Sequence, residues 1–143
     1  EAATAKGLTI SVDLNYRSKL WQYGKSPTEV MPGLVKYCHV IMGNIWAAEA
    51  LLGIKAPISE SAGKAKEELA TAAGQSISQL QQQYPAASTF AYTFRLEAEY
   101  WALLQKAEDK NVSKSFCGSA CCFNSFCPAC DCNAANLKYA FLS

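Results

Sequence analysis

The sequence feature that most constrains the fold is an apolar repeat over residues 58–83, where hydrophobic side chains recur at intervals of three and four positions. This spacing places them on one face of an α-helix, whereas a half-buried strand alternates with a period of two. Ser59 or Ser61 can cap the amino end by accepting a hydrogen bond from an unpaired backbone N–H. Glu67 and Glu68 lie toward the positive end of the helix dipole. We therefore predict an amphipathic helix over this segment.

Turn signals that contain Gly or Pro divide the chain into four apolar segments, with breaks at residues 24–27, 53–57 and 84–85. Connections this short normally join antiparallel helices. A chain of 143 residues corresponds to one domain. The expected fold is therefore all-α, a single domain in which a four-helix, up-and-down bundle over residues 7–110 precedes a short cysteine-rich extension over residues 111–143.

Two of the four segments are assigned to helices by weaker signals. In residues 86–110, Phe90, Phe94 and Trp101 fall on one helical stripe, which we expect to be buried with Leu69. In the first segment, residues 8–23, apolar and polar residues alternate as in a half-buried strand, although a helical spacing also fits. No second strand-like run is apparent, and an unpaired strand leaves its backbone groups unsatisfied. We therefore predict a helix there as well.

Residues 34–54 have about the length needed to cross a bilayer. Asn44 and Glu49 would lie inside such a span, where polar and charged side chains are costly. We therefore predict a buried bundle helix here and no transmembrane span.

Composition argues against several classes of function. The chain has 13 Lys plus Arg and 12 Asp plus Glu, a net charge of +1, which gives no reason to expect nucleic acid or an anionic membrane surface as a partner. It contains a single histidine, His39, and two arginines, Arg17 and Arg95, although many enzymes use these residue types for proton transfer or phosphate binding. This inventory predicts that the protein is not an enzyme.

The cysteines mark one unusual segment, since six of the seven fall within 16 residues: Cys117, Cys121, Cys122, Cys127, Cys130 and Cys132. They could form disulfide bonds, or they could be thiolates that bind structural zinc or an iron–sulfur cluster. Disulfides are preferred because zinc motifs usually set two Cys pairs about a dozen or more residues apart. This preference implies a secreted or lumenal location, outside the cytoplasm. The seventh cysteine, Cys38, is expected to be a buried free thiol.

His39 and Glu97 are the remaining candidates for chemistry. His39 could be an axial ligand for a haem or chlorin between helices, but a lone histidine on an apolar helix is more often a hydrogen-bonded core residue. Glu97 falls on the aromatic stripe, where a structural ion pair is a simpler interpretation than a general acid because no nucleophile accompanies it.

These observations predict a non-catalytic binding or structural protein, a small helical module or accessory subunit of a larger assembly. Its disulfide-locked extension would contact another protein, no cofactor would be needed, and a homo-oligomer is possible. One alternative is a thiolate metal-binding protein that uses the Cys117–Cys132 cluster for zinc or an iron–sulfur centre. A weaker alternative is a pigment or haem carrier that binds through His39.

Overall fold

A computed structural model describes residues 1–96, 100–107 and 114–118, with the backbone alone for Tyr100 and residues 114–118. In these residues strands and helices alternate along the chain. The elements are α1 (Ala2–Ala5), β1 (Ser11–Leu14), a 3-10 helix (Ser18–Trp21), α2 (Pro27–Val35), β2 (Val40–Gly43), α3 (Ile45–Leu52), α4 (Lys66–Gln83), β3 (Thr89–Arg95), β4 (Tyr100–Lys106) and β5 (Lys114–Gly118).

The strands form one mixed sheet with the order β1-β2-β3-β4-β5. The first three strands are parallel, with Leu14, Gly43 and Tyr92 in register. The last three are antiparallel, and Phe94 of β3 lies opposite Trp101 of β4. Aromatic and β-branched residues dominate β3, as expected for a strand in the middle of a sheet.

Helices α2, α3 and α4 contribute to one hydrophobic core with a single face of this sheet. The strand side chains in that core alternate along β3, where Phe90, Tyr92 and Phe94 are each 1% exposed. The crossovers from β1 to β2 and from β2 to β3 advance in the same direction across the sheet. Because such crossovers are nearly always right-handed, they place their helices on the same face.

The prediction of an all-α four-helix bundle over residues 7–110 is therefore wrong. Residues 8–23 contain strand β1, and its partner β2 lies inside residues 34–54, which we had assigned to one helix. Residues 86–107 form β3 and β4 instead of a helix. Side chains four positions apart share a face in a helix and also in a strand, so the spacing of Phe90 and Phe94 fits both.

The helix predicted over residues 58–83 is confirmed in type but begins later, at Lys66. Ala65 is the N-cap and makes no side-chain capping bond, so the predicted serine caps are wrong. The predicted burial of three core residues is confirmed, with Leu69 0%, Phe94 1% and Trp101 4% exposed. Among the described residues, no helix is both long and apolar enough to cross a membrane.

A buried hydrogen bond joins α4 to the middle of the sheet. The hydroxyl groups of Ser76 and Tyr92 are 2.9 Å apart, and the two residues are 0% and 1% exposed. A buried hydroxyl without a partner is costly. This bond therefore specifies how α4 sits against β3.

Replacing Tyr92 with Phe should lower the free energy of unfolding by about 1–3 kcal/mol, because the buried Ser76 hydroxyl loses its partner. Adding Ser76→Ala to the same chain should recover much of this loss, because neither hydroxyl is then left unpaired. Urea melts of the two single variants and the double variant measure the coupling. Purely additive effects of the two substitutions on the free energy of unfolding would contradict this coupling.

Alkaline pH gives an independent test of the same burial. Burial raises the pKa of Tyr92 to about 12, partly offset by its hydrogen bond with Ser76. A tyrosine hydroxyl in the unfolded chain ionises near pH 10. The folded protein keeps the Tyr92 hydroxyl protonated to higher pH, so its contribution to the free energy of unfolding is fully present below about pH 10 and is lost as the pH rises to about 12. Thermal melts above about pH 10 should show a steeper loss of stability in the parent than in Tyr92→Phe. Equal slopes would mean that Tyr92 is accessible to water.

Candidate functional site

The carboxyl ends of β1, β2 and β3 meet at one edge of the sheet because these strands are parallel. In open α/β sheets, ligands bind in the crevice outside such carboxyl ends. We define the carboxyl edge as residues 15–17 after β1, 44–46 after β2 and 93–95 at the end of β3. It is the candidate site.

The segment after β1 brings exposed polar groups to the carboxyl edge. Leu14 is buried and anchors the strand, whereas Asn15, Tyr16 and Arg17 are exposed. The Arg17 carbonyl accepts a 2.9 Å hydrogen bond from the backbone N–H of Leu20, so the 3-10 helix holds the backbone beside the strand end. Among the described residues, no acidic side chain forms a salt bridge with Arg17. A guanidinium in this position can donate two hydrogen bonds to a carboxylate or phosphate.

A close approach between β1 and β2 fixes the second part of the carboxyl edge. Gly43 has a φ of 153°, and a Cβ at this position would lie 2.7 Å from both Cβ and the carbonyl oxygen of Leu14. Asn44 follows directly and caps α3, since its Oδ1 accepts a 2.8 Å hydrogen bond from the N–H of Ala47. The amide oxygen is thus used by the helix, which leaves the side-chain NH₂ group to contact a ligand.

Two hydroxyl groups connect the end of β3 to its surroundings. Thr93 Oγ1 donates a 3.2 Å hydrogen bond to the carbonyl of Gly43, which ties β3 to β2 at the carboxyl edge. Ser61 Oγ donates a 3.0 Å hydrogen bond to the carbonyl of Arg95. Ser61, predicted as a helix cap, therefore holds the loop before α4 against the strand end.

Aromatic rings support the carboxyl edge from the core side. Trp46, in the first turn of α3, makes an edge-on contact with Phe94 at a centroid distance of 6.2 Å. Phe94 also packs on Trp101, with centroids 5.2 Å apart. The indole N–H of Trp46 donates a 3.0 Å hydrogen bond to the carbonyl of Ile58. These contacts link α3, the loop before α4 and the two central strands.

Both arginines of the chain, Arg17 and Arg95, lie at the carboxyl edge. Their small number argues against an enzyme by composition alone, but composition does not reveal that the fold brings them to the ends of two parallel strands. The sequence signal that could have located them is the position of each arginine directly after or at the end of an alternating apolar run. Chemically, the carboxyl edge is suited to binding an anion.

The other sequence-based candidates lie elsewhere. His39 precedes β2 at the opposite, amino end of the parallel strands. Its Nδ1 accepts a 3.0 Å hydrogen bond from the backbone N–H of Ile10, and its own backbone N–H donates to the Ile10 carbonyl at 2.7 Å. These bonds join the starts of β1 and β2. A role for His39 as a cofactor ligand stays a prediction.

The cysteine cluster is described only in part. Cys117 lies in β5, where the backbone alone is described, and the other five cysteines and Glu97 lie outside the described residues. Cys38 is buried and free, as predicted, and burial raises the pKa of its thiol. Within the described ranges, no group of three or more His, Cys, Asp or Glu side chains could hold a metal ion.

A shallow surface depression of about 240 Å³ lies beside α4 and the loop before it. Its acidic residue, Glu68, is paired with Lys64 at 2.9 Å. It is lined by Pro57, Ile58, Glu68, Thr71, Ala72 and Gln75.

Three solved structures with a similar fold are small-molecule kinases. The 2-dehydro-3-deoxygluconokinase of Thermotoga maritima has a TM-score of 0.60 and 24% identity, and the match covers 81% of this chain and 33% of that one. The pyridoxal kinase of Bacillus subtilis, solved as an ADP complex, has a TM-score of 0.50 and 15% identity over 82% of this chain and 39% of that one. A PfkB family carbohydrate kinase from Listeria grayi has a TM-score of 0.52 and 18% identity over 82% and 33%.

This chain therefore spans about a third of the length of the kinases it resembles. No protein-family model matches the sequence, and no curated protein matches it significantly. At these identities the likeness shows the fold.

The fold corrects the functional predictions made from the sequence. The prediction of a non-catalytic helical module is wrong, because the described residues share an α/β fold with three kinases. The prediction that the chain is not an enzyme is corrected by the same finding. Its premise was the scarcity of histidine and arginine, and a count of residue types does not show where the fold brings those residues together.

Replacing Gly43 with Ala should lower the free energy of unfolding by about 2–5 kcal/mol, because the methyl group collides with Leu14 at an unfavourable φ. Gly33→Ala is the matched control, since no atom lies within 4 Å of the added Cβ there. In the interior of α2 it should be neutral or stabilising by up to about 1 kcal/mol. Chemical denaturation measures both variants. Equal stabilities would show that β1 and β2 do not approach closely.

Proposed function

We propose that this chain forms a ligand-binding part of a small-molecule kinase, in which the carboxyl edge binds an anionic group of the substrate or nucleotide. One observation carries the proposal: both arginines lie at the carboxyl ends of parallel strands in a fold shared with three kinases. Ligand binding at this edge is a general property of open α/β sheets.

The groups at the carboxyl edge suit the requirements of phosphoryl transfer. The reaction develops charge on the transferred phosphoryl oxygens, and enzymes stabilise that charge with cations and hydrogen-bond donors. Arg17 offers the bidentate guanidinium, and the Asn44 side chain offers an amide NH₂ group. A nucleoside triphosphate with a divalent cation is the co-substrate implied by the proposal.

The proposal assigns binding to this chain and complete catalysis to a larger fold. The three kinases are about three times as long as the part that this chain matches, so their full activity requires further residues. The carboxyl edge would orient one end of the substrate, and its rigidity would come from Gly43 and the aromatic rings. Such positioning is a major contribution to catalysis.

Partner and location remain separate proposals that rest on the sequence. We retain another protein as the expected partner and no nucleic acid, because the net charge is only +1. A location outside the cytoplasm rests on the Cys117–Cys132 cluster alone, and bound zinc or an iron–sulfur centre there is the alternative to disulfides.

The proposal is tested by ligand titration of isotopically labelled protein, with 2-dehydro-3-deoxygluconate, pyridoxal and MgADP as separate probes. At least one probe should shift the amide NMR signals of residues 15–17, 44–46 and 93–95. Arg17→Gln should weaken that binding by at least about tenfold, because a charge-assisted hydrogen bond contributes about 1.5–3 kcal/mol.

Lys19→Gln is the matched control for charge. Lys19 is an exposed cation in the same 3-10 helix, so its loss should change the affinity by less than about twofold if only screened long-range attraction is removed. Equal effects of the two substitutions would exclude a specific role for Arg17. Shifts at the amino end around His39, or no shift with any probe, would overturn the proposed site.

A further inference from the structure

The amino ends of β1 and β2 are joined at His39, on the side of the sheet opposite the carboxyl edge. The His39 Nδ1 accepts a 3.0 Å hydrogen bond from the backbone N–H of Ile10. The Ile10 carbonyl accepts hydrogen bonds from the backbone N–H groups of His39 and Val40, at 2.7 Å and 3.1 Å. The start of β2 therefore holds both polar backbone groups of Ile10, which directly precedes β1.

The carbonyl of His39 connects the same point to β3. It accepts hydrogen bonds from the backbone N–H groups of Ser88 and Thr89, at 2.9 Å and 3.2 Å, and from the Ser88 hydroxyl at 3.5 Å. Three strands thus meet at one residue. Because β1 has only four residues, it has few other ladder bonds to hold it in place when a bond at its start is lost.

The bond to Nδ1 requires a neutral imidazole. A backbone N–H can only donate, so Nδ1 presents its lone pair and the ring hydrogen is on Nε2. An imidazolium carries hydrogens on both nitrogens and cannot accept a hydrogen bond. Proton uptake would place two donors against each other and leave the Ile10 N–H without its acceptor. Histidine is the side chain that ordinarily gains a proton between about pH 5 and 8.

The charged groups on the elements around His39 offer an imidazolium no compensation. They are the carboxylates of Glu1 and Asp13 and the ammonium groups of Lys6, Lys36 and Lys106. Glu1 accepts a 2.8 Å hydrogen bond from the Tyr37 hydroxyl. Among the side chains that the structure describes, no carboxylate forms an ion pair with the imidazole.

The buried titratable groups near His39 in the sequence and in the sheet are neutral in weak acid. Burial raises the pKa of the Cys38 thiol, which directly precedes His39. Burial also raises the pKa of the Tyr84 hydroxyl, in the segment before β3. Neither group therefore changes its charge in the range where histidine titrates.

We propose that His39 makes the junction of β1 and β2 sensitive to pH. With a neutral imidazole, Nδ1 holds the Ile10 N–H. When a proton from the solvent binds the Nδ1 lone pair, the hydrogen bond to Ile10 breaks and no covalent bond changes. The amino end of β1 then separates from β2, and the strand that leads to Arg17 loses its anchor at that end. The inference does not depend on ligand binding at the carboxyl edge.

The folded and unfolded chains bind different numbers of protons in weak acid. The unfolded histidine takes up a proton near pH 6.5, whereas the folded chain excludes this proton while Nδ1 holds the Ile10 N–H. The unfolded state therefore binds more protons, and the free energy of unfolding decreases as the pH falls below about 6.5. Above this pH the contribution of the His39–Ile10 bond is fully present.

Thermal melts of the complete 143-residue chain at about pH 7.5 and about pH 5 test this dependence. His39→Asn is the matched control, because its amide oxygen can accept the Ile10 N–H but does not titrate. Between the two pH values, Tm of the parent should fall by about 5 °C more than Tm of His39→Asn. His39→Leu has no acceptor, so it should melt below the parent at about pH 7.5 and within about 2 °C of it at about pH 5.

Nuclear magnetic resonance observes the junction directly. His39 is the only histidine of the sequence, so its nitrogens give the only imidazole signals in proton–nitrogen correlation spectra. At about pH 7.5 these spectra should show a neutral ring with its hydrogen on Nε2. The Ile10 amide should be protected from hydrogen exchange at this pH and at least about tenfold less protected at about pH 5, with the Tyr92 amide of β3 unchanged.

Three results would overturn the proposal. A neutral ring with its hydrogen on Nδ1 would mean that this atom does not accept from Ile10. Equal decreases in Tm for the parent and His39→Asn would mean that His39 does not set the pH dependence. Unchanged protection of the Ile10 amide in acid would mean that β1 stays in place when the imidazole is charged.

The ring spectra and the exchange rates are measured on the parent chain, so they decide the question even where a variant fails to fold. None of these measurements uses a kinase ligand. Their outcome is therefore distinguishable from a failure of the proposed function.

Discussion

The parallel pairing of β1 with β2 is the contact on which the rest of the structure depends. It is possible because Gly43 has no side chain, which lets the β2 backbone lie against Leu14. Directly after this contact the chain enters α3, capped by Asn44. Strand pairing, helix start and the polar groups of the carboxyl edge are thus coupled within a few residues. A change in the close approach would displace all three.

Direct side-chain contacts connect the hydrophobic core with the carboxyl edge. The Ser76–Tyr92 hydrogen bond fixes α4 on β3. Phe94 of the same strand makes an edge-on ring contact with Trp46 at the carboxyl edge. Rigid elements beneath a site hold its groups in place more accurately than loops can. The proposed role of Arg17 fits this arrangement, because the arginine follows a strand that the core anchors.

Topology explains the location of the candidate site. Consecutive right-handed crossovers in one direction place α2, α3 and α4 on one face of the sheet. The same arrangement aligns the carboxyl ends of three strands, where both arginines lie.

The sequence by itself determined α4, because an apolar repeat of three and four residues over many turns has no equivalent in a strand. It also predicted the burial of Phe94 and Trp101, and it showed the alternating pattern that became β1. Only the tertiary structure decided that this pattern is a strand and that Arg17 and Arg95 lie at one edge. Spacings of four residues suit helices and strands alike, and the choice between them depends on hydrogen bonds to strands that are distant in sequence, which local periodicity does not contain.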